Sequence, residues 1–427
     1  MCGETVTKGE TAVEYAWLQG HTDTIMEMLP YISQKTLAEL FCQCCRYGKL
    51  EAVRAIIRAT DISPNTEWKG TNALYLACRA KNVAIVEMLI AKGADVHRMS
   101  KWLVPNRNAC GHRETEEPLR APIHAVIMDW KASNNVACQQ LLRLLLNGGA
   151  DLEVKDDDGD TPLLSLFSRL DNADDVVVKG LLQAGADARA VDKNGNSIVQ
   201  RYLACDSRNI QTLKMLFEYG ASPKTIGEHG DTIIHSVLRT IQRDKSHDFT
   251  LASIKFLIEK GTPCDVRNKR ELTAVEYAAN NSMCQLDTFI VLLRACSDED
   301  ARKRCTWKLS GRDTKEETVK YIHELQKLGV SLEERDDKGR TVLLTSVGST
   351  DLFDAFIECG ADVNAVDLES QGVLHHYITY VTRSRGRLDD HTREHRLVQL
   401  VNMGLDPLKV CTHGPTNTGS ILTADSG

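Results

Sequence analysis

The phrase Gly-Ala-Asp constrains the fold of this chain more tightly than any other feature of its sequence. It stands at Gly93-Ala94-Asp95, Gly149-Ala150-Asp151, Gly185-Ala186-Asp187 and Gly360-Ala361-Asp362, with weaker copies beginning at Gly220, Gly261, Gly329 and Gly404. Subtracting neighbouring glycine numbers gives 56, 36, 35, 41, 68, 31 and 44. The shortest intervals gather near one period of ~33, and the longer ones read as that period with insertions. A chain built on such a period stacks small units, because one unit alone cannot bury its apolar face.

Ahead of each marker lies an amphipathic run: Cys138 to Leu146, Val176 to Leu182, Gln211 to Phe217, Leu251 to Ile258. Apolar residues recur there at helical spacing, and the glycine that follows is suited to cap the helix in a left-handed conformation. Behind the marker comes a short polar stretch and a second signature, seen at Gly159 to Leu164, Gly230 to His235 and Gly339 to Leu344. There a threonine placed as a cap precedes proline or an aliphatic residue in a first helical turn. Each unit is therefore expected to be a tight turn, a helix, a second helix and a glycine stop.

These residues make the chain resemble the ankyrin-repeat family. The family's Thr-Pro-Leu-His start is matched at Thr161-Pro162-Leu163, Pro122-Ile123-His124, Ile233-Ile234-His235 and Val373-Leu374-His375. Its mid-unit glycine is matched at Gly20 and Gly48, and its Gly-Ala-Asp-Val-Asn close is complete from Gly360 to Asn364. The resemblance implies an all-α fold, an ankyrin-repeat solenoid of helix-turn-helix units joined by short β-hairpin-like turns. It covers residues 6–410 as about ten units, some degenerate, beginning near Thr7, Thr36, Glu67, Arg113, Asp156, Asp192, Gly227, Asn268, Asp336 and Asp367. Insertions fall near 98–118, 241–250, 297–318 and 382–393. The segment 297–318 fits no unit and hides either a degenerate repeat or a long insertion, and 411–427 reads as a frayed end or the start of a further repeat.

Composition agrees with many thin interfaces: aromatics are 5% of the chain while aliphatic residues abound. The net charge of -7 gives no global drive toward nucleic acid or anionic membrane, and no run approaches the ~18 apolar residues a membrane helix needs. Neither nucleic-acid binding nor membrane insertion is expected. The fourteen cysteines are scattered through apolar helical segments, so reduced thiols and a cytoplasmic location are expected, with nuclear import left open.

Several constellations invite chemistry and lack what it requires. Cys42, Cys44 and Cys45 have no second ligand pair at zinc spacing, and the repeat register assigns Cys44 and Cys45 to tight interhelical positions, as it does Ala77-Cys78 and Ala278-Ala279. For His124, His235 and His375 the resemblance implies backbone hydrogen bonds between adjacent turns. They have no nucleophile or carboxylate at usable spacing. Walker, His-Glu-x-x-His and Gly-x-Ser-x-Gly motifs are absent, so no enzyme activity, cofactor, small-molecule substrate or metal is expected. Arg302-Lys303-Arg304 and Arg383 to Arg387 read as solvated loops.

The acidic stretch Asp156, Asp157, Asp158, Gly159, Asp160 has the look of a calcium loop. Setting Gly159 as its sixth position puts Val154 first and Ser165 twelfth, so the first and last ligands fail. In register the stretch is the seam between two repeats. Function is expected where the register varies, at the turn tips: Trp68 and Lys69; Asp157, Asp158 and Asp160; Lys193, Asn194 and Asn196; Glu228, His229 and Asp231; Asp337, Lys338 and Arg340. Trp102, in the 98–118 insertion, is a further candidate anchor. The expectation is a monomeric array that binds a protein partner through its concave face and turn tips as scaffold or adaptor. The alternative is the recognition array of a larger multidomain enzyme, channel or signalling protein.

Overall fold

The computed structural model describes residues 16, 21–101, 103–105, 114–116, 119–128, 130, 132–167, 175–205, 208–241, 247–309, 314–383, 397–403 and 405. They fall into two compact units, Met1–Glu228 and His229–Gly427, and the fold is all-α in both. Residues 6–15, 384–393 and 411–427 lie outside the described residues, as does Trp102.

In the first unit, helix pairs follow one another: Gln34–Arg46 with Leu50–Ala59, Ala73–Arg79 with Val83–Ala91, Pro122–Ile127 with Asn135–Asn147, Pro162–Leu166 with Asp175–Gln183, and Ile198–Leu203 with Ile210–Glu218. Each first helix packs on the first helix of the next pair, and each second helix on the next second helix. The seams are aliphatic. Leu141, Leu145, Leu163, Leu164, Ile198 and Leu213 are buried, and a side chain of that size contributes about 1.5–3 kcal/mol when fully removed from water.

The small residues sit where the helices approach most closely. Cys44, Cys45, Ala77 and Cys78 are fully buried, and burial pushes the Cys44 and Cys78 thiols up to about 12. They act as small hydrophobes rather than as thiolates. Among the described residues no group of three potential ligands is placed to hold a metal ion, and no helix is long and apolar enough to cross a membrane.

Helix starts follow the caps in the sequence. Thr161 Oγ1 accepts from the Leu164 N–H ahead of Pro162, and Ser197 and Gln200 cap each other's backbone. Helix ends follow the marker glycine. Gly149, at φ 91°, lets the Ala150 N–H reach the Leu145 carbonyl oxygen at 2.9 Å.

At the mid-unit position held by Gly48 in one repeat, the next repeat has Lys81, also left-handed at φ 57°. That conformation costs a lysine about 1–2 kcal/mol. Its Nζ donates to the carbonyl oxygens of Ala125, Val126 and Met128 at 2.9, 2.6 and 2.7 Å, offsetting the cost at the C-terminal end of Pro122–Ile127.

Within the 98–118 insertion, Leu103–Pro105 pairs antiparallel with Glu114–Glu116. A shorter hairpin, Glu67–Trp68 with Thr71–Asn72, turns through Lys69 and Gly70, both at positive φ, as a primed turn requires.

The second unit repeats the pattern with Ile233–Thr240 and His247–Glu259, Ala274–Ala279 and Leu286–Ala295, Val342–Thr345 and Thr350–Glu358, then Val373–Arg383. The segment that fits no unit in sequence forms the helices Glu299–Lys308 and Lys315–Lys327. The first packs on Ala274–Ala279, and the second contacts both Leu286–Ala295 and Thr350–Glu358. It is a helix pair without the preceding hairpin. Arg302, Lys303 and Arg304 therefore lie on a helix, not in the solvated loop expected of them. Lys303 pairs with Glu334 and Arg304 with Glu276.

Candidate interaction surface

One carboxylate or amide organises several of the turns, whereas the turn carrying Glu228 and His229 has Gly227 at that position. Asp156 Oδ1 accepts from the N–H groups of Asp158 and Asp160, Asp192 Oδ1 from Asn194 and Asn196, Asn268 Oδ1 from Arg270 and Leu272, and Asp336 Oδ1 from Lys338 and Arg340. The two residues after this anchor form the tip. An Asx side chain bonded to backbone two and four residues on pre-shapes the loop without any ion. The acidic character of Asp156 is thus part of the scaffold.

Against this frame the remaining tip residues separate into exposed and internal ones. Trp68 is half-buried and its ring lies 4.9 Å from the exposed Lys69 ammonium. Asp157 is exposed but exchanges backbone contacts with Leu119, accepting from its N–H at 3.1 Å and donating to its carbonyl oxygen at 3.2 Å. Asp158 faces Lys193 at 3.8 Å, both exposed. Asp160 is buried, and its carboxylate accepts from Arg201 at 2.9 Å; the same guanidinium lies 3.6 Å from Asp192.

Asn196 is spent on the frame, donating to Asp192 at 3.1 Å and accepting from the Glu228 N–H at 3.1 Å. Asp231 is buried between Arg239 and the Asn268 amide. Arg340 is bound to the Asp336 carboxylate at 2.6 and 2.8 Å. Asn194, Glu228, His229, Asp337 and Lys338 remain exposed.

Sequence-derived candidates converge at one place in the first unit. Asp158, Asp160, Lys193 and Asn194 line an open cleft of about 240 Å³ together with Asp192 and Arg201. Arg201, four residues after the Ser197 cap, escaped the sequence reading because its register position is not a tip position. Its signal would have been a basic residue on a first helix between two acidic turns.

The histidines tie hairpin to helix. His124 Nε2 donates to the Asp160 carbonyl oxygen at 3.2 Å in the first unit, and His235 Nε2 to that of Leu272 at 3.0 Å in the second. Burial pushes the His124 imidazole down to about 4 and also lowers that of His235. His375 makes no such tie among the described residues. The bonded ring there is that of His376, at 2.9 Å from Asp367. In the repeat after His235 the same position holds Glu276. Its carboxylate meets Arg304 at 2.7 Å, Arg267 at 3.1 Å and the Thr273 N–H at 2.9 Å. Burial raises its pKa, but these donors outweigh burial and the net shift is downward.

A sequence profile described as Ankyrin repeats (3 copies) matches residues 16–100 and 130–227. The chain carries ankyrin repeats. It is 26% identical over 152 residues to ankyrin repeat protein OPG189 of variola virus, covering 34% of this chain and 24% of the viral one. It is 23% identical over 243 residues to ankyrin repeat and SOCS box protein 6 of Homo sapiens, covering 53% of this chain and 48% of the human one. A third relative, an L-asparaginase of Dirofilaria immitis, is 25% identical over 191 residues, covering 44% of this chain and 28% of that enzyme. The chain spans about a quarter of the viral relative and about half of the human one. Ankyrin repeats generally mediate protein–protein interaction, and the fold is typically non-catalytic.

Proposed function

We propose that this ankyrin-repeat chain is a non-catalytic scaffold or adaptor that holds a protein partner against its turn tips and the adjoining first helices. The observation that carries this reading is the contrast inside four of the turns. An Asp or Asn anchor makes the same backbone bonds in each, while the two tip residues after it change from Asp157-Asp158 to Lys193-Asn194 to Lys269-Arg270 to Asp337-Lys338. A rigid frame presenting variable side chains binds with little ordering cost. The non-catalytic part is supported by the roles of the reactive groups: His124 and His235 are engaged with backbone, and the cysteines at the seams are buried and held as thiols. We further propose a monomeric array in a reducing compartment, cytoplasm or nucleus. Light scattering of the purified chain tests the first, and imaging of the tagged native protein the second.

Affinity purification from cells tests the main reading, comparing the intact chain with a Trp68→Ala, Asp158→Ala, Lys193→Ala variant of unchanged circular dichroism. Loss of the captured proteins is expected. An identical set on the variant would place binding elsewhere.

A second reading is favoured by one observation, the partial coverage of longer relatives that include an enzyme. In it the chain is the recognition array of a larger enzyme, channel or signalling protein. The mass of the native polypeptide separates the two: a mass near 47.5 kDa removes the support for a larger protein.

A further inference from the structure

The second unit holds a cleft that shares two register positions with the Asp160–Arg201 cleft of the first, with a tyrosine at the position of its arginine. It measures about 160 Å³ and is lined by Arg270, Leu272, Tyr277, Asn280, Asn281 and Ser282. Arg270 corresponds in register to Asn194, and Tyr277 to Arg201. In the first unit the arginine of the cleft is taken up by Asp160 and Asp192. In the second the residue corresponding to Asp192 is Asn268, an amide whose oxygen is spent on the Arg270 and Leu272 N–H groups.

The lining of this cleft therefore offers a cationic donor, Arg270, beside the hydroxyls of Tyr277 and Ser282. Among the described residues the exposed Arg270 guanidinium makes no ion pair or side-chain hydrogen bond, and the Tyr277 and Ser282 hydroxyls make no hydrogen bond. Asn281, by contrast, is fixed by bonds to Leu238 and Met283 and shapes the wall. Among the described residues no carboxylate lines the cleft. Glu276, on the same helix as Tyr277, is occupied by Arg267 and Arg304, and the exposed Glu271 is not part of the lining.

We propose that this cleft receives a carboxylate side chain from an acidic segment of the protein partner. The planar guanidinium accepts a carboxylate in a bidentate pair, and the Tyr277 hydroxyl supplies a further donor. One guanidinium balances one carboxylate charge, whereas a phosphoryl dianion would leave charge uncompensated. The inference rests on the tip-and-first-helix reading above and assigns part of that surface a partner chemistry.

The test is fluorescence anisotropy of the full chain with a short fluorescein-labelled glutamate-rich peptide, its glutamine counterpart and a phosphoserine counterpart. The glutamate peptide binds best. Arg270→Glu weakens it by at least about tenfold and Tyr277→Phe by about threefold, with thermal unfolding unchanged because among the described residues neither the Arg270 guanidinium nor the Tyr277 hydroxyl bonds within the chain. Equal binding of glutamate and glutamine peptides, equal binding by Arg270→Glu, or preference for phosphoserine each overturns the assignment. If partner capture depends on the tips while the peptides are not distinguished, the cleft assignment alone fails. If capture ignores the tips altogether, the wider reading fails with it.

Discussion

The joints at His124 and His235 use the same residue for the same bond and differ on the other side of the ring. In both, Nε2 donates to a carbonyl oxygen of the next hairpin. At His235 the Nδ1 side meets the Thr232 hydroxyl at 2.8 Å and its N–H at 3.2 Å. At His124 the cap is Ala121, which has no hydroxyl, and Nδ1 is buried without a hydrogen-bond partner. The Ala121 backbone lies near that ring outside hydrogen-bonding geometry. A histidine in a repeat is thus half of a device, and the cap residue three positions earlier completes it. An unsatisfied buried polar atom costs about 1–3 kcal/mol, so the two joints should respond differently to acid and to mutation.

Acid gives the largest expected effect. The folded His124 pKa of about 4 lies below its ordinary 6.5, so protonation favours the unfolded state. Its contribution is full above pH 6.5 and is lost as pH falls from there to 4, amounting to about 3 kcal/mol. Urea unfolding across that range should show the slope in the native chain and a reduced one in His124→Gln; coincident profiles would remove the titration from this joint.

Next comes the joint that replaces histidine with a carboxylate. Glu276→Ala takes from Arg267 and Arg304, both partly exposed, the buried one of the two carboxylates they share, Asp298 remaining, and should cost about 2–3 kcal/mol. Glu276→Gln keeps an acceptor for the Thr273 N–H and should cost less. Equal unfolding midpoints for the two variants would mean that the charge, not the cap, carries the joint.

A smaller pair of effects has opposite sign. Ala121→Thr offers the His124 ring the hydroxyl it lacks and should stabilise by about 0.5–1 kcal/mol, while Thr232→Ala removes it from His235 and should cost about 1 kcal/mol. Thermal denaturation reads both. Smallest is Asp158→Ala: its pair with Lys193 is exposed on both sides at 3.8 Å, and the stability change should stay within about 0.5 kcal/mol.

Much of the fold was legible because each cue is local. The Gly-Ala-Asp stop, the threonine cap and the helical apolar spacing act within one or two turns of backbone, so the runs ending at Leu146, Leu182 and Phe217 fall inside helices of the structure. The helix pair Glu299–Lys308 and Lys315–Lys327 was not legible, because it lacks the hairpin and glycine marks that announce a unit. The tips were located by register, yet their chemistry was not. Asp160, Asp231 and Arg340 look like free charges in the sequence and are engaged by Arg201, Arg239 and Asp336 in the structure.

By itself the sequence determined the repeat period, the order of turn and helices, and the aliphatic seams, since propensity, capping and burial of a helical stripe are properties of short segments. Tertiary structure alone decided which tip charges remain exposed. Asp160 and Arg201 are 41 residues apart, and the stacking of one repeat on the next brings them together. In the second unit Asn268 stands where the other repeat has Asp192, and among the described residues no carboxylate lines the cleft of Arg270.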